Sequence, residues 1–286
     1  MLDDASEVLH KALNQKVFLK SINVVVPSSW RDSQCNTVIR TPKGETPYRN
    51  ADILISGVDH PIYGEIPFTQ QSKSCGQRGD YMSMPFSFLT SWNQTWEKYG
   101  DPSKLFVHEW AKLRYGVFDE FGFNQDQMYP NYFYHKGRVL PTGTTNVPVK
   151  GTWVSQTGQP GCDPLSKDNE CYFQPSGNNN QVTCSLGYFH FLPNVTGFCD
   201  ASLLSHGPMA PTKHNVLCEG RTASEVIMSN KDFSRIANKN NNVKESKVGR
   251  LAPVIQLVRE PTPQYVLVIE TTSSCLLYTS PSPRDS

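Results

Sequence analysis

Long apolar runs are missing from these 286 residues. The longest, about Tyr265–Ile269 and Val24–Val26, fall far short of the roughly 20 residues needed to cross a bilayer, so the chain as given does not span a membrane. An excess of one charge is missing too, because 27 Lys+Arg face 26 Asp+Glu and leave a net charge of +1. Without a basic stripe to track phosphates, nucleic acid is excluded as a partner. No Gly-rich phosphate loop follows a strand and no G-x-S-x-G turn occurs, which removes phosphate-loop nucleotide chemistry and the serine-hydrolase elbow. No cysteine pair has the C-x2-C spacing that closes two thiolates on one zinc ion. A secretory leader is absent as well: Met1-Leu2-Asp3-Asp4 is acidic where such a leader is basic, and no apolar segment follows.

Cysteine, by contrast, is present in an uneven pattern. Of eight cysteines, five crowd between Cys162 and Cys218, a density that indicates disulfides rather than scattered thiols. The disulfide candidates are Cys35, Cys75, Cys162, Cys171, Cys184, Cys199 and Cys218, with the pairing open. Two N-x-[ST] triplets make Asn93 and Asn194 glycosylation candidates. Together these features favour a secreted protein, or one on the extracellular face of the plasma membrane, whose signal peptide is missing from this chain.

Residues 3–14 place Ala5, Val8, Leu9, Ala12 and Leu13 on one helical face. Val17–Val26 and Ala51–Ser56 read as strands, with polar, proline-punctuated loop between them. Leu105–Tyr115 reads as a helix with Ser103 as its N-cap and Gly116 at its end. From Phe121 to Leu192 the pattern is short strands, such as Tyr132–His135, Trp153–Ser155 and Tyr188–Leu192, with no long helix. Ser224–Ile236 is a helix candidate, residues 237–247 look like a linker, and Val254–Val258 and Tyr265–Ile269 are strands. Cys275–Ser286 has the look of translated adaptor sequence and is set outside the fold. Seven cysteines then remain, and one of them has no partner within the fragment.

The segment that carries chemistry is Phe106–Glu120, which contains His108-Glu109-Trp110-Ala111-Lys112 and then Gly116-Val117-Phe118-Asp119-Glu120. In a zinc hydrolase helix of the H-E-x-x-H type, two histidines four apart bind one ion and the Glu polarises its water. A third ligand arrives after the helix turns back. His108, Glu109 and a returning carboxylate are here, but the second histidine position holds Lys112.

The segment resembles the metalloprotease-like motif H-E-x-x-H-x-x-x-G-x-x-D-E of the calcium-activated chloride channel regulators, down to H-E-W-A, L-R and G-V-F-D-E. Val17–Trp30, Cys75-Gly76 with Gly79-Asp80-Tyr81, and Ser224–Ile227 are similar to further elements of that family. Tyr265–Ser274 resembles the first strand of the von Willebrand factor A domain that follows there, with Glu270-Thr-Thr-Ser-Ser274 standing at its divalent-cation loop. The resemblance implies an α+β fold: a zincin-like domain over residues 1–260 with a Cys-rich, loop-rich second half, then the start of an A domain over 261–274 and a non-native tail over 275–286. It also implies Glu109 as catalytic base, and His108 and Asp119 as zinc ligands. The partners it implies are a chloride channel at the cell surface, and a peptide or the protein's own chain if the domain is active.

Lys112 breaks that transfer, because an ammonium has no lone pair and carries like charge toward a dication, so the site should hold zinc poorly. Three readings follow. In the first, Lys112 pairs with Glu109 or Asp119 and replaces the ion. In the second, another histidine such as His135, His206 or His214 completes an active site that self-cleaves the chain. In the third, His108 and Glu109 are ordinary helix residues. His60, His135 and His190 are read as structural or surface residues rather than ligands, and Leu217-Cys218 stands where members of the family it resembles often have Met-Cys, near the region expected to floor the site.

Overall fold

A computed structural model describes residues 1–29, 51–166, 170–201, 207–233 and 251–259. Cys35, Trp30, His206, Tyr265–Ser274 and the tail lie outside the described residues, as do the linker and the A-domain strand. The architecture is mixed α+β with small sheets.

Helix α1 (Leu2–Ala12) has Asp3 and Asp4 in its first turn and His10 and Lys11 in its last, both arranged to favour the helix dipole. Its buried stripe of Ala5 and Leu9, continued by Leu13, packs on α4. Strand β1 (Ser21–Val26) pairs in parallel with β9 (Val254–Arg259), in the register Ile22 to Ile255. The segment expected as a strand from Val17 therefore begins pairing only at Ser21.

A second sheet has the order β2 (Ile53–Ser56), β4 (Tyr81–Pro85), β3 (Phe68–Gln70), with β2 parallel and β3 antiparallel to β4. Strands β3 and β4 pack against α4, and the short helices α2 (Phe86–Thr90) and α3 (Trp92–Tyr99) lead into it.

Helix α4 (Pro102–Tyr115) is the spine of the molecule. Its N-cap is Asp101, not Ser103: the Asp101 carboxylate accepts from the Ser103 N–H at 2.9 Å and from its hydroxyl at 2.6 Å. Pro102 at the first helical position has no N–H to leave unpaired. Gly116 ends the helix at φ 67°, where a Cβ would lie 2.1 Å from the Gln77 carbonyl oxygen, so both backbone and space require glycine. Leu105, Phe106, Val107, Ala111 and Leu113 are buried, and so are Lys104, His108, Glu109 and Lys112. A helix covered on nearly all sides brings its polar residues inside, where each must find a partner.

The second half contains two antiparallel strand pairs. Strand β5 (Tyr132–His135) pairs with β6 (Arg138–Pro141), and β7 (Gly151–Ser155) with β8 (Cys171–Pro175). Disulfides join Cys162 to Cys171, Cys184 to Cys199 and Cys75 to Cys218. Tyr188–Leu192, expected as a strand, is a run of turns in which the Tyr188 and Phe189 N–H groups both donate to the Ser185 carbonyl. Its aromatic rings pack on each other and on the core instead of across a ladder, with Tyr188 and Phe189 ring centres 3.5 Å apart.

Helix α5 (Lys213–Leu217) is capped by Thr212, and α6 (Ala223–Met228) by a Thr222–Glu225 capping box. The helix expected to reach Ile236 ends at Met228, and Asn230 turns its side chain to the Asp232 N–H. Arg114 near the end of α4 grips Asp232 with two bonds of 2.8 and 2.9 Å, fastening this segment to the spine.

Candidate functional site

Helical spacing sets His108, Glu109 and Lys112 on neighbouring positions of α4, and the turn at Gly116 sends the chain back to deliver Asp119. The return segment is pinned from behind by α5. The His214 N–H donates to the Asp119 carbonyl at 3.2 Å, and His214 Nδ1 accepts from the Phe118 N–H at 3.2 Å. His214 Nε2 meets the Arg221 carbonyl at 3.0 Å, so both ring nitrogens hold backbone. It serves as a brace rather than as the second metal ligand.

His108 Nε2 lies 3.0 Å from Asp119 Oδ1 and 3.9 Å from Glu109 Oε1. His108, Glu109 and Asp119 bring ligand atoms within 4.8 Å of one another, the one such metal-capable group among the described residues. The Lys112 ammonium stands among them, donating to Glu109 Oε1 at 3.0 Å and to Asp119 Oδ1 at 2.8 Å. Of the carboxylates named as alternative partners for Lys112, both are engaged.

Burial of Lys112 favours its neutral form, but the attraction of Asp119 and Glu109 outweighs this and lifts its pKa above the usual lysine value. Burial pushes Asp119 the other way from its neighbours, yet Lys112 and His108 hold its carboxyl below the carboxylate range. The pair is therefore charged at neutral pH. Glu109 Oε2 and His108 Nδ1 are buried without a hydrogen-bond partner among the described residues.

Glu120, next in sequence, is wholly buried, and burial raises its pKa to about 7. It accepts from the Ser185 hydroxyl, its N–H donates to the Gly187 carbonyl and its carbonyl accepts from Thr144, so it stitches the return segment to the Cys-rich half. Gly187 has no room for a Cβ, which would sit 2.4 Å from Glu120 Oε2.

The histidine ring that meets His108 is His190, with centroids 5.9 Å apart. Burial and the nearby His108 hold His190 down at about 3, so it is neutral, and its Nδ1 is also buried without a partner among the described residues. The sequence reading took His190 as a structural or surface residue, since nothing in a Tyr-Phe-His-Phe run signals its neighbour. His135 instead lies on β5 beside a cleft of about 380 Å³ walled by Phe133, Leu140, Tyr188 and Met209. Of the two glycosylation candidates, Asn93 is exposed on the first turn of α3, and Asn194 is exposed with its amide donating to the Asn180 carbonyl.

Residues 1–239 match the family described as calcium-activated chloride channel N terminal. The chain belongs to that family. It is 32% identical over 238 residues to human calcium-activated chloride channel regulator 2, covering 82% of this chain and 24% of the relative. To human regulator 4 it is 30% identical over 243 residues, and to bovine regulator 1 it is 30% identical over 242, each covering 82% of this chain and 25% of the relative. The chain thus spans about a quarter of the length of the curated regulators it matches. No solved structure matches it. Among the described residues, no helix is long and apolar enough to cross a membrane.

Proposed function

We propose that this chain is the metalloprotease-like N-terminal part of an extracellular regulator of calcium-activated chloride conductance, acting by binding and not by zinc-dependent hydrolysis. The observation that carries the second half is Lys112. Its ammonium bonds to both carboxylates of the metal-capable group, taking up the charge that a zinc ion would need and adding a positive neighbour with no lone pair. His108 and Asp119 alone do not make the three protein ligands of a catalytic zinc site, so the residues present do not fit the ion. The site then works as a buried ion-pair cluster that fixes the return segment on α4.

Family membership supports the regulatory role, since the relatives bear that name. Three disulfides support an oxidising compartment, and exposed Asn93 and Asn194 suit glycans. On this reading the zincin-like domain ends near residue 260, an A domain with its own divalent cation follows, and the partner is a chloride channel at the cell surface. One observation favours the alternative of an active, self-cleaving zinc peptidase with Glu109 as base: His108, Glu109 and Asp119 do converge.

Metal analysis decides between them. The chain secreted behind an added signal peptide should carry no stoichiometric zinc, and Lys112→His should gain it. Stoichiometric zinc in the unsubstituted protein, lost in His108→Ala, would overturn the reading.

A further inference from the structure

We propose that Cys75 is a site of thiol–disulfide exchange, at which a small dithiol opens the Cys75–Cys218 bridge. This goes beyond the function above and does not depend on it, since neither sulfur belongs to the ion-pair cluster. Among the bridged cysteines, Cys171, Cys184, Cys199 and Cys218 are at most 3% exposed, whereas Cys75 and Cys162 are half-buried. Exchange requires a thiolate to reach the sulfur it attacks, so these two are the candidates.

Their surroundings differ in sign. Arg221 Nη2 lies 3.5 Å from Cys75 Sγ. The guanidinium is held in that place, because its Nε donates to the Cys218 carbonyl at 3.3 Å and the Arg221 N–H donates to the same carbonyl at 3.1 Å. The other cations of the Cys75 loop are turned to carboxylates, Lys73 to Asp80 and Arg78 to Asp52. At Cys162 the neighbour is instead the Glu170 carbonyl oxygen, 3.9 Å from the sulfur. An incoming thiolate is drawn by a cation at Cys75 and meets a partial negative charge at Cys162. Reactive sulfurs sit in half-exposed, electropositive settings of the first kind.

The exchange balances. The thiolate sulfur bonds to Cys75 Sγ while the Cys75–Cys218 bond breaks, and the electron pair leaves on Cys218 Sγ, which takes up a proton. The second thiol of the same reagent then attacks the sulfur already attached, closes the reagent into its own disulfide and releases Cys75 as a thiolate beside Arg221. The reagent loses two electrons and the bridge gains them.

The bridge is placed where its opening is felt. Its Cys75 end belongs to a loop whose Gly76 N–H donates to the Gly116 carbonyl and whose Gly79 N–H donates to the Leu113 carbonyl. Its Cys218 end closes α5, which carries His214 behind Asp119. Cutting it removes the covalent tie between the two elements that brace the turn after α4.

The test uses the disulfide-intact secreted chain, with any free thiols blocked beforehand, under dithiothreitol without denaturant. Timed alkylation and peptide mapping read which sulfurs are released. Cys75 and Cys218 should be released first, by about fivefold or more over the other two bridges. Arg221→Gln should slow that release by about fivefold, Arg221→Lys should restore most of it, and added salt should slow the parent more than Arg221→Gln. If Arg221→Gln fails to fold, as judged by near-ultraviolet circular dichroism, the salt dependence of the parent gives the same reading. Three results would overturn the proposal: earlier release from either other bridge, release of all three together, or a Cys75 rate indifferent to Arg221→Gln and to salt.

Discussion

Replacing Lys112 by Met keeps the length of the side chain and removes its charge. In the folded protein, Lys112 is the cation between two carboxylates: Glu109 is 4% exposed, and the bonds are 3.0 and 2.8 Å. Without the cation, Glu109 and Asp119 face each other as buried anions with only His108, 3.0 Å from Asp119, to compensate. Removing one member of a buried, hydrogen-bonded ion pair costs about 3–5 kcal/mol, mostly because the remaining charge is stranded. For a domain of this size each kcal/mol moves the melting temperature by about 2–4 °C, so the loss should be roughly 6–20 °C. The triple variant Lys112→Met/Glu109→Gln/Asp119→Asn removes the stranded charge and should recover most of it.

The pH dependence follows from the shifts. Asp119 is depressed in the folded state, so its contribution is present above the unfolded carboxylate value near 3.8 and fades as pH falls through its lower folded value. Lys112 is raised, so its contribution is full below its unfolded value near 10.5 and is lost only as pH rises through its higher folded value. Between those limits the stability from this pair should be level. Urea unfolding of the two variants beside the parent measures all of this. A loss under about 1 kcal/mol for Lys112→Met, or a triple variant no better than the single, would refute the argument.

Other outcomes are open to the same assay. Removing the Cys75–Cys218 bridge, whose ends are 143 residues apart, should cost roughly 5 kcal/mol through chain entropy, about twice the cost of removing Cys162–Cys171 with its separation of 9. Glu120, raised to about 7, favours the folded state below its unfolded value of 4.5 and loses that advantage as pH climbs to 7. Glu120→Gln should therefore flatten that part of the stability profile, and a parent profile that does not fall relative to the variant between pH 4.5 and 7 would contradict the burial argument. Gly116→Ala should destabilise by more than the roughly 1–2 kcal/mol that a left-handed φ alone costs, because its Cβ also meets the Gln77 backbone; unchanged stability would show that the contact relaxes.

What could be read in the chain itself was local or compositional. Spacing of three and four residues put His108, Glu109 and Lys112 on one stretch of helix, Gly116 marked its end, and the charge of Lys112 already implied a carboxylate partner. Clustered cysteines announced disulfides, and the H-E-W-A to D-E stretch pointed to the family that residues 1–239 match. Tertiary structure decided what local rules do not reach. It gave the cysteine pairing, the parallel pairing of β1 with β9, and the choice of both carboxylates by one ammonium. It brought His190 against His108, Ser185 against Glu120 and His214 behind Asp119, and it turned Tyr188–Leu192 from an expected strand into turns. The reason is common to all of these. A lysine, a serine or a histidine has no preference that names its distant partner, and burial, as of α4 on nearly every side, is what presses most buried polar groups against one.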